Sequence, residues 1–316
     1  MRPTSLGLFA GGGGAECGMA LAGFRSLGCI EANGEACQTL RAAGLPGIQA
    51  WIGENPLPGL SVYRPVYMDL DLLWASPPCQ PWCRSQTLGP KGEADTSRNG
   101  WPATLEAVAT IKPRWLITEN SGDLPNFSYA ETILEKLRLQ FKFVEGRVLN
   151  AADFGAPQRR MRWFVVAGPR PFHWPLPMRT VHITLGQALP WLESRGAMPG
   201  TSQPMYYPLD GTCGRAGTAP RWLDRPAPTV TTMEVKGTRA CAASDWTFHG
   251  GPDRASDAAF LAAGRRRLTW QECAILMDFP LEWPWRGTIG ARYVQIGNAV
   301  VPAVAHALGQ SILKSM

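Results

Sequence analysis

Three stretches of this chain carry side chains whose types and neighbours could do chemistry. In the first, an apolar run from Asp71 stops at Pro77-Pro78-Cys79-Gln80. Each proline fixes its own φ and biases the preceding residue towards extended backbone, so the turn is stiff and holds the Cys79 thiol in one direction. The thiolate is the nucleophilic form of cysteine, and a thiol on a rigid turn beside a polar segment running to Gly100 suits covalent catalysis. Taken singly, a cysteine in a proline-rich connection is more often a small buried hydrophobe. In the second stretch, Glu119-Asn120 follows the strand-like run Trp115 to Thr118. Polar residues at the C-terminal edge of a strand stand where open α/β sheets bind ligands. The third, Gln158-Arg159-Arg160-Met161-Arg162, is a compact basic cluster, and a second follows at Arg265, Arg266 and Arg267. Alone, such runs are usually solvated faces.

These residues need elements to hold them. Ser5 to Phe9 reads as a short strand, Ala10-Gly11-Gly12-Gly13-Gly14-Ala15 as a turn, and Glu16 to Ala22 as a helix stopped by Gly23. Glycines let backbone approach a ligand, and a helix N-terminus attracts a carboxylate or phosphate. With Gly11 and Gly13 as the first two glycines of a dinucleotide fingerprint, the third position is Glu16, which argues against NAD. Ser26 to Ile30 is the second strand, and Glu31 at its tip suits ribose hydroxyls. Helices are expected over Gly34 to Ala43, Trp101 to Ile111 and Tyr129 to Leu139, and strands over Phe141 to Leu149 and Met161 to Ala167. Gly47 to Met68 shows little pattern. This alternation predicts an α/β fold, a doubly wound, mostly parallel sheet covered on both faces.

Composition shifts after Gly168. Residues 169–265 are rich in Pro, Gly, Thr and Trp with little periodicity, which predicts a smaller irregular domain after a first domain at 1–168. Residues 266–316, with helices over Leu268 to Asp278 and Val301 to Leu313, form a third segment.

At 316 residues, 45% hydrophobic and 18% charged, the chain has the composition of an ordinary globular protein. The formal charge of +6 is compatible with nucleic acid but shared by many other proteins. The eight cysteines are scattered without a zinc-type ligand pattern and the four histidines are isolated, so no metal is expected. No apolar run is long enough to span a bilayer. Arg2 followed by Leu6 to Ala22 superficially resembles a signal peptide, but Glu16 and the glycine block argue against one.

Together these stretches resemble the cytosine-C5 DNA methyltransferase family, over nearly the whole chain. Phe9-Ala10-Gly11-Gly12-Gly13-Gly14 is similar to its cofactor motif, Pro77-Pro78-Cys79-Gln80 to its nucleophile motif and Glu119-Asn120 to its glutamate motif. Gln158 to Arg162 matches the Gln-Arg-Arg-x-Arg motif, Arg267 to Pro280 resembles the ninth motif, and Gly297-Asn298-Ala299-Val300 the tenth. All six stand in family order.

The resemblance implies a class I methyltransferase, Rossmann-like, using S-adenosylmethionine, with residues 169–265 as the target-recognition domain. It implies addition of Cys79 to C6 of cytosine, with Glu119 at N3, Arg162 at O2 and Arg160 beside them as catalytic groups. Phe9, Gly11, Gly13, Glu31 and Asn298 would bind the cofactor. Gln80, Arg98, Asn120, Gln158, Thr229 and Val230 would serve the DNA or the extruded base, which must leave the stack to react. The implied partners are double-stranded DNA and a cognate restriction endonuclease, the implied place the cytoplasm. The chain departs from the family pattern in five places. Gly7 stands for the usual acid before Leu-Phe, Ala32 for a bulkier residue, Trp82-Cys83 for Phe-Ser and Ser121 for Val, and the third motif has only Glu54 as a candidate acid. The alternatives are a same-fold tRNA methyltransferase and an inactive DNA-binding regulator; the intact Cys79, Glu119 and Arg162 count against the latter.

Overall fold

A computed structural model describes residues 2–52, 69–82, 98–178, 181–190, 225–227, 229–230 and 269–316. In chain order the elements are β1 (Thr4–Leu8), α1 (Gly14–Ala22), β2 (Arg25–Glu31), α2 (Gly34–Ala42), β3 (Gly47–Gln49) and β4 (Leu72–Ala75). They continue with α3 (Trp101–Ile111), β5 (Trp115–Ser121), α4 (Tyr129–Arg138), β6 (Phe143–Asn150) and β7 (Met161–Gly168). Last come α5 (Leu185–Ala188), α6 (Trp270–Leu276), α7 (Ile289–Asn298) and α8 (Pro302–Ser315).

Local chemistry sets the helix ends. Gly13 and Gly23 flank α1 with φ of 89° and 110°, a left-handed backbone that only glycine adopts cheaply. The Asn33 side chain accepts from the Ala36 N–H to cap α2. Thr269 and Glu272 cap α6 reciprocally. Helix α7 was not expected, because its apolar positions are interrupted by Gly290 and Gly297; Gln295–Asn298 form its last turn.

The described units are two. The first comprises residues 1–150, 161–176 and 300–316; the second, residues 151–160 and 177–299. The first holds a seven-stranded sheet in the order β3-β2-β1-β4-β5-β7-β6. From β3 to β5 all pairs are parallel, whereas β7 pairs antiparallel with both β5 and β6. The chain builds outward from β1 to β3, then returns to build β4 and β5 on the other side. Ligands of such sheets bind where that direction reverses, at the C-terminal ends of β1 and β4. Leu8 is in register with both Ile30 and Ala75, and Ala75 with Thr118, so the ends of β1, β2 and β4 stand level there while β5 runs three residues further.

Leu6, Leu8, Leu73, Trp101, Val108, Leu116, Ile133, Leu137, Trp163 and Val165 fill the core against this sheet. Helix α8 closes on α1 almost backbone to backbone: a Cβ on Gly18 would lie 2.4 Å from the Pro302 carbonyl oxygen. Of the irregular region expected over 169–265, most lies outside the described residues.

Candidate active site

Cys79 stands just beyond β4, half-buried and outside any disulfide. Its carbonyl accepts from the Trp82 N–H at 3.0 Å and starts a single 3-10 turn over Gln80–Trp82. Trp82 locks that turn into the core: it is fully buried, stacked on Tyr129 at 5.0 Å between centroids, with Phe127 edge-on at 5.4 Å. From the other side, buried Asn120 donates from Nδ2 to the Pro77 carbonyl at 3.0 Å. Gly100, at the start of α3, lies against the same turn. A Cβ there would stand 2.8 Å from Pro78, 2.9 Å from Pro77 and 3.1 Å from the Phe9 ring, so only a glycine lets these three meet.

Next to this turn, β5 carries Glu119, almost wholly buried, two residues before its end. Residues 121 and 162 face each other across the antiparallel β5–β7 pair, which brings Arg162 alongside. Arg162 Nε lies 3.0 Å from Glu119 Oε1, and its Nη1 donates to the Met161 carbonyl. The structure thus brings Asn120 onto the Cys79 turn and pairs Glu119 with Arg162 on the neighbouring strand.

The glycine turn follows β1. Gly11 has φ of 53° and open space where a side chain would be, and Phe9 is a half-buried ring with φ of 57°, strained for a non-glycine residue. Glu31 spans the turn: its Oε2 accepts from the Gly11 N–H and its Oε1 from the Asn33 N–H, both at 2.8 Å. Beneath lies Glu16, buried, with no hydrogen bond from another residue to either carboxylate oxygen. Burial raises its pKa from 4.5 to about 8, its own backbone amide acting against and the Glu31 carboxylate adding.

The second unit has its own knot. Gln158 is fully buried, its Nε2 donating to the Leu276 carbonyl and its Oε1 accepting from the Val230 N–H. Arg160, expected among the catalytic groups, is 3% exposed, and its guanidinium donates to the carbonyls of Val230, Gly297 and Ala299 at 2.8 to 3.0 Å. Thr229 Oγ1 donates to the Arg159 carbonyl. Gln158 and Arg160 therefore hold the Thr229-Val230 backbone to the end of α7. Asn298 is exposed in that same last turn.

Gln80 is half-buried in the turn after Cys79, and Arg98 is exposed just before Gly100. Glu54, residues 83–97, Pro228 and the arginines at 265–267 lie outside the described residues. Sequence reasoning missed Gly100 and Glu16 as parts of the site. Glu16 had a signal, a carboxylate interrupting an apolar run; Gly100 had none beyond its place before a helix. Among the described residues no cluster of His, Cys, Asp or Glu could hold a metal ion, and no single helix is long and apolar enough to cross a membrane.

The chain is similar to several known proteins. A type II methyltransferase of Arthrospira platensis, M.AplI, is 31% identical over 97% of this chain and 84% of its own. The type II methyltransferase M.NgoMIV of Neisseria gonorrhoeae is 28% identical over 100% and 99%. Among solved structures, the Entamoeba histolytica methyltransferase EhMeth superposes with a TM-score of 0.69 at 16% identity, covering 100% of this chain and 99% of that one. The Schizosaccharomyces pombe Dnmt2 methyltransferase gives 0.66 at 18%, with the same coverage. The profile described as C-5 cytosine-specific DNA methylase matches residues 4–186 and 228–314, which takes in the Cys79 turn, the Glu119–Arg162 pair and the glycine turn. With that sheet, those strand ends and that match, the chain belongs to the C-5 cytosine-specific DNA methylase family.

Proposed function

We propose that the protein is a DNA (cytosine-5-)-methyltransferase that extrudes a cytosine from duplex DNA and modifies it through a covalent bond to Cys79. One observation carries this reading: the Cys79 turn is tied by Asn120 to the strand end where Glu119 and Arg162 are paired.

The family's methyl donor is S-adenosylmethionine, and the residues present fit it. The open cradle at Gly11, the Glu31 carboxylate on a strand tip and the Phe9 ring beside them suit a diol, a backbone-hugging chain and an aromatic base. When bound, the cofactor supplies an electrophilic methyl group. The chain's own residues prepare its acceptor. Cys79 adds as thiolate to C6, forming the C6–S bond and pushing the ring electrons towards C5, N3 and O2. Glu119 delivers a proton to N3 and Arg162 faces the charge at O2, so the ring does not carry a full negative charge in a dry site. Once C5 is methylated, a base takes the C5 proton, the C6–S bond breaks, Cys79 leaves as thiolate and N3 returns its proton to Glu119. Arg162 also keeps Glu119 in place, whereas Arg160 positions the Thr229-Val230 segment and touches no reacting atom.

Duplex DNA is the proposed substrate because extrusion makes a stacked base reachable, and the basic charge supports phosphate contact. Residues 169–265 are proposed to read the target, and a restriction endonuclease that cuts the same site is a candidate partner. The test is conversion-based sequencing of a plasmid from methylation-free cells expressing the protein or Cys79→Ala. Protection of cytosines in one recurring context, lost with Cys79→Ala, is expected. Protection that survives the substitution, or modified tRNA with unmodified plasmid, overturns the reading.

A further inference from the structure

Glu16 is the buried titratable group that the reaction above does not use. It stands in the first turn of α1, directly after the glycine turn. Its carboxyl also fills a specific gap. A Cβ on Gly7 of β1 would lie 2.1 Å from Glu16 Oε1, so the Glu16 carboxyl occupies the place a side chain at residue 7 would take. A carboxyl in that position with no hydrogen bond from another residue is costly to bury, and it lies within electrostatic reach of Glu31, whose carboxylate closes the glycine turn.

The titratable groups around it do not resolve this cost. From β2 come Glu31, whose charge opposes that of Glu16, and Cys29, whose thiol burial and Glu16 together push up. From α2 comes Cys37, likewise raised by burial. From α8 comes His306, packed at Gly18 two residues further along α1, and β1 contributes no titratable group. Glu31, Cys29 and Cys37 carry no positive charge in any protonation state. Among the described residues no cationic side chain bonds either oxygen of Glu16, and the family's cofactor carries a positive charge.

We propose that Glu16 is the counter-charge to the cationic methionine end of S-adenosylmethionine, supplied from α1 because residue 7 is glycine, and that it distinguishes the charged cofactor from its neutral thioether product. This rests on the glycine turn being the cofactor site. Glu16 acts through the low-dielectric floor of the turn, where a charge is felt strongly without contact. In the empty protein near neutral pH the carboxyl holds its proton, as its raised pKa requires. Arrival of the cation favours the carboxylate, so binding releases a proton. Transfer of the methyl group removes the sulfonium charge, Glu16 takes a proton back, and the hold on the product weakens.

Calorimetric titration of the full-length protein with S-adenosylmethionine and S-adenosylhomocysteine, in buffers of different ionisation heat, tests this without turnover. For the unmodified protein, affinity for S-adenosylmethionine should rise about tenfold or more from about pH 6.5 to about pH 8.5, with a proton released near neutrality. Affinity for the product should change about twofold or less. Glu16→Gln should lose about tenfold for the cofactor at the upper pH, lose the pH dependence, and keep its affinity for the product. The double variant Gly7→Asp with Glu16→Ala, which brings a carboxylate to the same place from β1, should restore the preference. An unchanged preference and pH profile in Glu16→Gln overturns the proposal, as does an equal loss for both ligands at every pH, which marks a space-filling role. If Glu31→Ala abolishes binding while Glu16→Gln is silent, the site stands and this inference falls. If the folded, unmodified protein binds neither ligand, both fall.

Discussion

Asn120 reaches back from the end of β5 and donates to the Pro77 carbonyl at 3.0 Å, so the turn that aims Cys79 hangs from the strand that carries Glu119. The proposed nucleophile and the group proposed to protonate the base thus share one support. Asn120 spends its other end locally, its Oδ1 accepting from the Ser121 N–H at 2.8 Å, which fixes the amide's orientation. Asn120→Ala should therefore loosen the Cys79 turn without touching its chemistry. The expected result is a loss of about 1–2 kcal/mol in stability for a buried hydrogen bond. It should come with a fall in kcat of about tenfold or more and little change in KM for the cofactor, because misplacement costs orientation. Single-turnover kinetics beside denaturant unfolding checks this, and a kcat within twofold of normal would falsify the shared support.

Glu119→Gln removes the proton that Glu119 is proposed to give to N3 while keeping its shape. It also replaces the carboxyl that Arg162 Nε meets at 3.0 Å with an amide. Turnover should drop by about a hundredfold or more, in the range of general acid catalysis, while DNA affinity stays within a few-fold. Rapid-quench assays beside binding isotherms separate the two quantities; normal turnover removes Glu119 from the chemistry.

Arg160→Met keeps the volume of the side chain but leaves the carbonyls of Val230, Gly297 and Ala299 without their donor. Unpaired buried acceptors cost about 1–3 kcal/mol each before relaxation, so the variant should be destabilised by about 3 kcal/mol or more. Where it stays folded, its chemical step should be affected far less than that of an Arg162 variant. Thermal unfolding and single-turnover rates together decide this, and a stable but dead Arg160→Met would return Arg160 to the reacting groups.

Glu16 also makes the empty protein sensitive to pH. Its folded pKa of about 8 lies above the unfolded value of 4.5, so the folded state holds a proton that the unfolded chain has given up between those values. This contribution to stability is fully present below about pH 4.5 and is lost as pH rises through about 8. Glu16→Gln should flatten that slope, so that Tm falls less between about pH 6 and about pH 9 than in the unmodified protein. A saturating cation-bearing cofactor should flatten it as well. Scanning calorimetry across this range checks both; parallel Tm curves for the two proteins rule out Glu16 as the titrating group.

Much of this was legible in the linear chain because it depends on local rules. Period and punctuation mark β1, α1, β4 and β5, two prolines stiffen the approach to Cys79, and four glycines mark the turn at Gly11. Strand runs that end in polar residues also announce that Cys79, Glu31 and Glu119 belong at one edge of a parallel sheet. Other features have no local signature. Arg160 and Arg162 are two residues apart in the same basic cluster, and nothing in their types separates them. One is buried under three carbonyls and the other pairs with Glu119, because strand β7 begins between them and its antiparallel register brings Arg162 to β5. The helix over Ile289–Asn298 is stabilised by packing that its interrupted pattern does not advertise. Glu16 and Gly7 are nine positions apart, and only the closure of α1 on β1 puts a carboxyl from one into the space left by the other. Residue types and spacing determined the reaction class, because chemistry needs particular groups in a particular order; side-chain partnerships were decided in three dimensions, because burial and register are properties of the packed sheet.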